Sequence, residues 1–175
     1  MAVLVEGISV IIKNEAIEKY FGTVDDFVAR APNQTACCDQ FITRIGFMSP
    51  SDTGFFVRTL EKIGFAHLLQ DQAADFLLVD QVTGPTSGFD WCEFKKIEID
   101  GHEIIFCKYL TDTDGTLHFP SQWNFEQSLY NKSYKIGMEE IQNKMQCIGV
   151  DGHVEVWEDK ETGQQFYIGR TSNLF

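Results

Sequence analysis

Apolar positions recur along this chain with two periods, one suited to strands and one to helices. Val3 to Ile12 is a β-rich apolar run broken only at Gly7, and it ends at Asn14, a residue suited to a helix N-cap. Beyond it, Ile17, Phe21, Val24, Phe27 and Val28 recur every three or four positions and predict one apolar helix face. Gly22 divides that helix, Thr23 with Asp26 re-caps it, and Pro32 closes the segment. Residues 37 to 48 predict a second strand with Phe41, Thr43, Ile45 and Phe47 on one side. Ser49-Pro50-Ser51-Asp52 then supplies an N-cap, a first-turn proline and a first-turn acid. Phe56, Leu60 and Ile63 follow on one helical face, and Gly64 is the stop. The opening of the chain therefore reads as two consecutive strand–helix units of similar length.

From residue 75 the pattern turns strand-rich. Phe76 to Val82 has strand length, and Gly84-Pro85-Thr86-Ser87-Gly88 is a loop. Phe89 to Ile99 and His102 to Leu110 flank Asp100-Gly101, a strong two-residue hairpin signal. That turn sets Ile99 against His102, Ile97 against Ile104 and Lys95 against Phe106. It also opposes Glu98 to Glu103, a repulsion that Lys96 on the same face can relieve. Residues 111 to 124 form a polar connection. Asn124 can cap a helix carrying Phe125 and Leu129, and Met138, Ile141 and Met145 mark a helical stretch from about Lys135 to Cys147. A terminal hairpin is predicted from His153 to Trp157 and Gln165 to Gly169 across Glu161-Thr162-Gly163. No linker divides the chain, so residues 1 to 175 are assigned to one domain.

Charge narrows the classes of partner. Twenty-six acids and 14 bases give a net charge of −12, which repels phosphate backbones and anionic lipid and attracts a basic protein. No apolar stretch reaches membrane-spanning length, and the N-terminus lacks the pattern of a secretory leader. The five cysteines Cys37, Cys38, Cys92, Cys107 and Cys147 are odd in number and contain no Cys-x-x-Cys. They read as free thiols of a reducing, cytoplasmic compartment. Fifteen phenylalanines point to an aromatic-rich core.

Candidate chemistry is sparse. Asp112-Thr113-Asp114-Gly115 hints at a calcium loop, but Leu110 stands where such a loop needs its first acid and Ser121 where it needs its closing glutamate, so it reads as a turn. His153 and Glu155 share one predicted strand face but supply only two of the three or four ligands a metal needs. Nothing near Cys92 or Cys107 activates a thiol nucleophile. The most suggestive segment follows the Gly84–Gly88 loop. There Trp91 and Glu93, predicted to share a strand face, and His102 after the hairpin turn are the candidate binding residues: an apolar shelf with polar anchors for a small molecule. No catalytic residue, metal ligand or cofactor is assigned.

Arg44 to Phe65, RIGFMSPSDTGFFVRTLEKIGF, resembles the strand–helix module of the vicinal oxygen chelate (glyoxalase/dioxygenase) superfamily, whose helix ends in a phrase like Leu60-Glu61-Lys62-Ile63-Gly64-Phe65. The resemblance implies a small-molecule site cupped by a curved sheet, and metal ligands where each module's first strand opens. At the matching openings this chain carries Glu6 and Arg44, and a guanidinium cannot ligate a metal.

The expected fold is α+β: a mostly antiparallel sheet of five to eight strands, helices on one face, and Ile17, Phe21, Phe27, Phe56, Leu60 and Ile63 turned into it. The expected function is a non-catalytic binding or protein-interaction domain, partnered by a second copy of itself or by a basic protein. A small-molecule binder or enzyme of glyoxalase type is the alternative.

Overall fold

The computed structural model describes residues 1–126, 128–129, 145–151, 154–163 and 165–169. Its strands are β1 (Ala2–Val5), β2 (Ile8–Lys13), β3 (Cys37–Cys38), β4 (Ile42–Phe47), β5 (Leu68–Leu69), β6 (Gln72–Ala73), β7 (Phe76–Asp80), β8 (Gly84–Pro85), β9 (Cys92–Ile99), β10 (His102–Tyr109), β11 (Leu117–His118), β12 (Met145–Asp151), β13 (Val154–Asp159) and β14 (Gln165–Gly169). Its helices are α1 (Asn14–Phe21), α2 (Val24–Ala29) and α3 (Pro50–Ile63). The fold is α+β. A five-stranded antiparallel sheet runs β3-β4-β2-β7-β8. A four-stranded sheet runs β11-β1-β10-β9, antiparallel except for the short β1–β11 pair. β12, β13 and β14 form an antiparallel meander, and β5–β6 a small hairpin.

Three apolar clusters show how the layers stack. Ile17, Phe27, Phe56 and Leu60 of the helices are buried against Val10, Ile12, Ile45, Phe47 and Phe76, one face of the five-stranded sheet, with Phe21 and Ile63 at the margin. The other face presents Ile11, Ile42, Leu77 and Val79 to Val3, Val5, Cys92 and Cys107 of the four-stranded sheet. Leu4, Ile104 and Phe106, on the far side of that second sheet, are covered by Leu117, Phe119, Trp123 and Phe125. β2 is thus buried on both faces, which explains why its sequence runs apolar without alternation.

Local signals account for the element ends. Ser49 Oγ accepts from the Ser51 and Asp52 amides, Pro50 opens α3, and Gly64 closes it at φ +119°. Thr23 Oγ1 accepts from the Asp26 amide at 3.0 Å, capping α2. Asp100 and Gly101 both take positive φ, 51° and 78°, as a mirror-image hairpin turn requires. The predicted pairs 99–102, 97–104, 95–106 and 98–103 all form, and Lys96 Nζ donates to Glu103 Oε1 at 2.6 Å. The terminal hairpin pairs β13 with β14, its turn tied by Asp159 Oδ1 accepting from the Glu161 and Thr162 amides.

Several expectations are corrected. The run from Val3 to Ile12 is two strands in different sheets, because Gly7 at φ +58° turns the chain from one layer to the next. Asn14 does not cap α1; it is the first helical residue, and its side chain bonds Asp39 O and Thr43 instead. Phe41 does not share a face with Ile45 and Phe47. Asp39 Oδ1 accepts from the Phe41 and Ile42 amides, making a tight turn that sends Phe41 to the cluster between the sheets. Met145 to Cys147 belong to β12, since they pair across to β13; the rest of the predicted late helix, residues 135–144, lies outside the described residues, as does His153. The helix expected around Phe125 to Leu129 falls partly outside them too.

Gly7 carries the corner between the two sheets. A Cβ there would meet the Phe47 carbonyl oxygen at 2.5 Å, in a conformation that side-chain-bearing residues rarely adopt. Gly7→Ala is expected to destabilise the fold by about 2 kcal/mol or more, read as a lower urea midpoint at unchanged slope; a midpoint equal to wild type would show that the corner is not strained.

Candidate functional site

The three residues singled out by sequence do not converge. Trp91 is buried between the sheets with Cys92 and Phe94, its indole Nε1 donating to the Ala73 carbonyl at 2.9 Å. Glu93 lies on the opposite side of β9, bound at 2.9 Å to Lys95 on the same face. Trp91 and Glu93 therefore do not share a face, because Trp91 precedes the strand and turns inward beside Cys92. His102 stands at the hairpin end of β10, stacked on Phe125. Glu93 pairs with Lys108, six residues further along β10, which separates it from His102 by about 20 Å at the strand rise.

Among the described residues, a deeply buried charged pair joins Glu6 to Arg44. Arg44 faces the second sheet, in register with Ile11, and two residues on, Gly46 faces Ser9. Because Gly46 has no side chain, the guanidinium lies across it: a Cβ at Gly46 would fall 2.3 Å from Nη2. From there Arg44 donates to Ser9 Oγ at 2.9 Å, Glu6 Oε1 at 3.4 Å, Thr35 O at 3.1 Å and Glu6 O at 2.7 Å. Trp123 Nε1 donates to the other Glu6 oxygen at 3.2 Å. Burial lowers the Arg44 pKa from its ordinary value, and the Glu6 charge opposes that shift. These are the two positions that the glyoxalase-like resemblance matches to metal ligands. A guanidinium cannot ligate, and the Glu6 carboxylate is already held by Arg44 and Trp123, so these residues do not fit a metal. Among the described residues no three His, Cys, Asp or Glu groups gather around a common point.

A shallow hollow of about 160 Å³ opens between the start of α1 and the Phe41 and Tyr109 rings. Its floor is Phe41 and Tyr109, stacked at 5.2 Å and nearly parallel, one from each sheet layer. Glu15 and Glu18, on one face of α1, form one wall, and Lys13, Asn14 and Gln40 complete it. The Lys13 ammonium sits 5.2 Å from the centre of the Trp91 ring. Asn14 fixes the rim, donating to Asp39 O at 2.8 Å and accepting from Thr43 Oγ1 at 2.7 Å. Asp39 Oδ2 is buried without a hydrogen-bond partner. Burial raises the Tyr109 pKa, and the charges of Glu15 and Asp90 add to the rise. Sequence periodicity marks Glu15 and Glu18 only as a polar helix face; the hollow exists because tertiary packing brings Tyr109 to Phe41.

Cys37, Cys38 and Cys107 are held away from the reactive thiolate. Burial pushes Cys37 up to about 12, and it also raises Cys38 and Cys107. No helix among the described residues is long and apolar enough to cross a membrane. No protein-family model, curated protein or solved structure matches the chain.

Two measurements follow. Arg44→Ala leaves the buried Glu6 carboxylate without its guanidinium and is expected to cost about 3–5 kcal/mol. Combining Arg44→Met with Glu6→Gln removes both charges and should recover most of that loss; equal loss in the single and the pair would show that the charges are uncoupled. For Cys37, the folded pKa of about 12 lies above the ordinary 9.0. Its contribution to stability is therefore complete below about pH 9 and lost as pH rises through 12. Iodoacetamide at mildly alkaline pH should label half-buried Cys38 before Cys37 and Cys107, as mass spectrometry would show; early labelling of Cys37 would contradict its burial.

Proposed function

We propose that this chain is a non-catalytic protein-interaction domain that receives a cationic side chain, arginine or lysine, from a basic partner in the Phe41–Tyr109 hollow. The observation that carries the reading is the pairing of a stacked aromatic floor with the Glu15 and Glu18 carboxylates in one small hollow. A cation over an aromatic face, with carboxylates at its edge, gains from the ring quadrupole and from charge at once. The volume, about 160 Å³, is about that of five waters and below the roughly 300 Å³ at which drug-sized pockets begin. It suits the end of one side chain. Asp90 and the unpaired Asp39 oxygen add negative potential nearby, and the net charge of −12 steers a basic partner toward the surface. Lys13 opposes this, but its ammonium is held over Trp91. The protonated, buried thiols support binding rather than covalent chemistry.

The test is calorimetric titration with a short oligo-arginine peptide and with the matching citrulline peptide, which keeps shape and loses charge. Binding of the arginine peptide alone is expected, about tenfold weaker for Glu15→Gln with Glu18→Gln. It should weaken as salt rises from about 0.01 M to 1 M, where the screening length falls from about 30 to 3 Å. Equal affinity for the citrulline peptide, or no loss in the double variant, would refute the reading.

A further inference from the structure

β9 is the outermost strand of its sheet, and among the described residues its far edge pairs with no other strand. An eight-residue edge left unpaired by the described residues forms a template for another strand unless it is blocked. The turn at Asp100-Gly101 fixes which backbone groups are available. Its closing pair, Ile99 and His102, is hydrogen-bonded, as in any two-residue hairpin, and bonded pairs alternate with unbonded ones. Ile97 and Lys95 therefore spend their backbone groups on β10, whereas Lys96 and Glu98 direct theirs outward. Side chains divide the same way. Ile97 and Ile99 lie on the face with Leu4 and Phe106, while Lys96 and Glu98 lie on the other. There Glu98 stands directly across from Glu103, and Lys96 bonds Glu103 at 2.6 Å. Glu98 is left beside a like charge with no ion pair of its own among the described residues.

We infer that this edge pairs with the same edge of a second copy, antiparallel about a two-fold axis at Ile97. In that register Lys96 lies opposite Glu98 of the second copy, twice, and each such pair exchanges the backbone bonds that point outward. Ile97 meets Ile97 on the other face. The competing symmetric registers are worse. An axis at Lys95 or Lys96 opposes lysine to lysine, and one at Glu98 opposes glutamate to glutamate. An axis at Phe94 sets Glu93 against Lys95 but also places the Lys96 ammonium opposite Cys92, which is buried between the sheets. The edge lysines that would repel a foreign strand thus become the matching charges for a copy of the same strand. Residues 95 to 99 bury less than the roughly 1,200 Å² of a standard stable interface, so the dimer is weak and concentration-dependent.

Sedimentation equilibrium of the full chain up to about 1 mM tests this together with hydrogen exchange. Wild type is expected to approach about 40 kDa, twice the 19.9 kDa monomer, with the Lys96 and Glu98 amides slowing as concentration rises. Glu98→Lys, which sets lysine against Lys96 of the second copy, should weaken the dimer about tenfold or more. Adding Lys96→Glu restores opposite charges both between copies and against Glu103, and should restore the dimer. A monomer at all concentrations, a dimer indifferent to Glu98→Lys, or protection elsewhere than at Lys96 and Glu98 would overturn the assignment.

Discussion

A guanidinium buried between two sheets sets the geometry of this fold. Arg44 is fully enclosed, and water cannot stabilise it, so its donors must find protein acceptors. It finds them on three segments: Ser9 of β2, Thr35 before β3, and Glu6 at the corner joining β1 to β2. Ser9 Oγ also donates to the Glu6 carbonyl at 2.9 Å, closing the network on itself. Burying such a pair adds little net stability compared with apolar packing. Its effect is on register. A one-residue slip of β4 against β2 would turn Arg44 out of this cage and into the helix-facing core, an arrangement that leaves both charges uncompensated. The pair fixes which alignment is possible more than it deepens the energy of that alignment.

Two glycines that composition alone cannot interpret flank this network. Gly46 is where the guanidinium crosses the neighbouring strand, and Gly7 is where the chain passes between layers under the Phe47 carbonyl. Each is a point of close approach, Gly46 to the guanidinium and Gly7 to a backbone oxygen. Trp123 extends the network to the loop covering the far side of the second sheet, through its bond to Glu6. One acid at the β1–β2 corner thus links β4 to the loop that covers the second sheet.

Legibility in the sequence followed the range of the interaction. The Asp100-Gly101 hairpin and the Ser49-Pro50 helix start were readable because turn and cap chemistry act over a few residues, and the cross-strand pairs then followed by counting. The helix faces were readable from their period. The break at Gly7 carried a signal, since a lone glycine inside an apolar run marks a bend, but its destination in a second sheet depends on distant partners. Asn14 was misread because its best acceptors and donors, Asp39 and Thr43, are far along the chain and outcompete the local cap. Trp91, Glu93 and His102 are close in sequence and pattern, yet Trp91 precedes β9 and turns inward, and the length of β9 and β10 separates Glu93 from His102. The hollow itself is not legible for the opposite reason: Phe41 and Tyr109 read as ordinary strand residues until two sheets are stacked.

That stacking makes the hollow depend on the buried pair. Phe41 belongs to the turn that enters β4, and Tyr109 to the last position of β10, so their parallel rings bridge the two sheets. Arg44 lies three residues after Phe41 and ties β4 to the corner from which β1 departs, and β1 is the strand that pairs with β10. A shift of one residue along β4 would move Phe41 by about 3.3 Å, which is enough to lose a ring stack at 5.2 Å. Asn14 and Asp39 then hold the α1 wall to that same turn, so the carboxylates of Glu15 and Glu18 keep their place relative to the rings. The binding surface proposed for a cation is therefore not a loop feature that could drift independently; it is set by the alignment that the enclosed charges enforce.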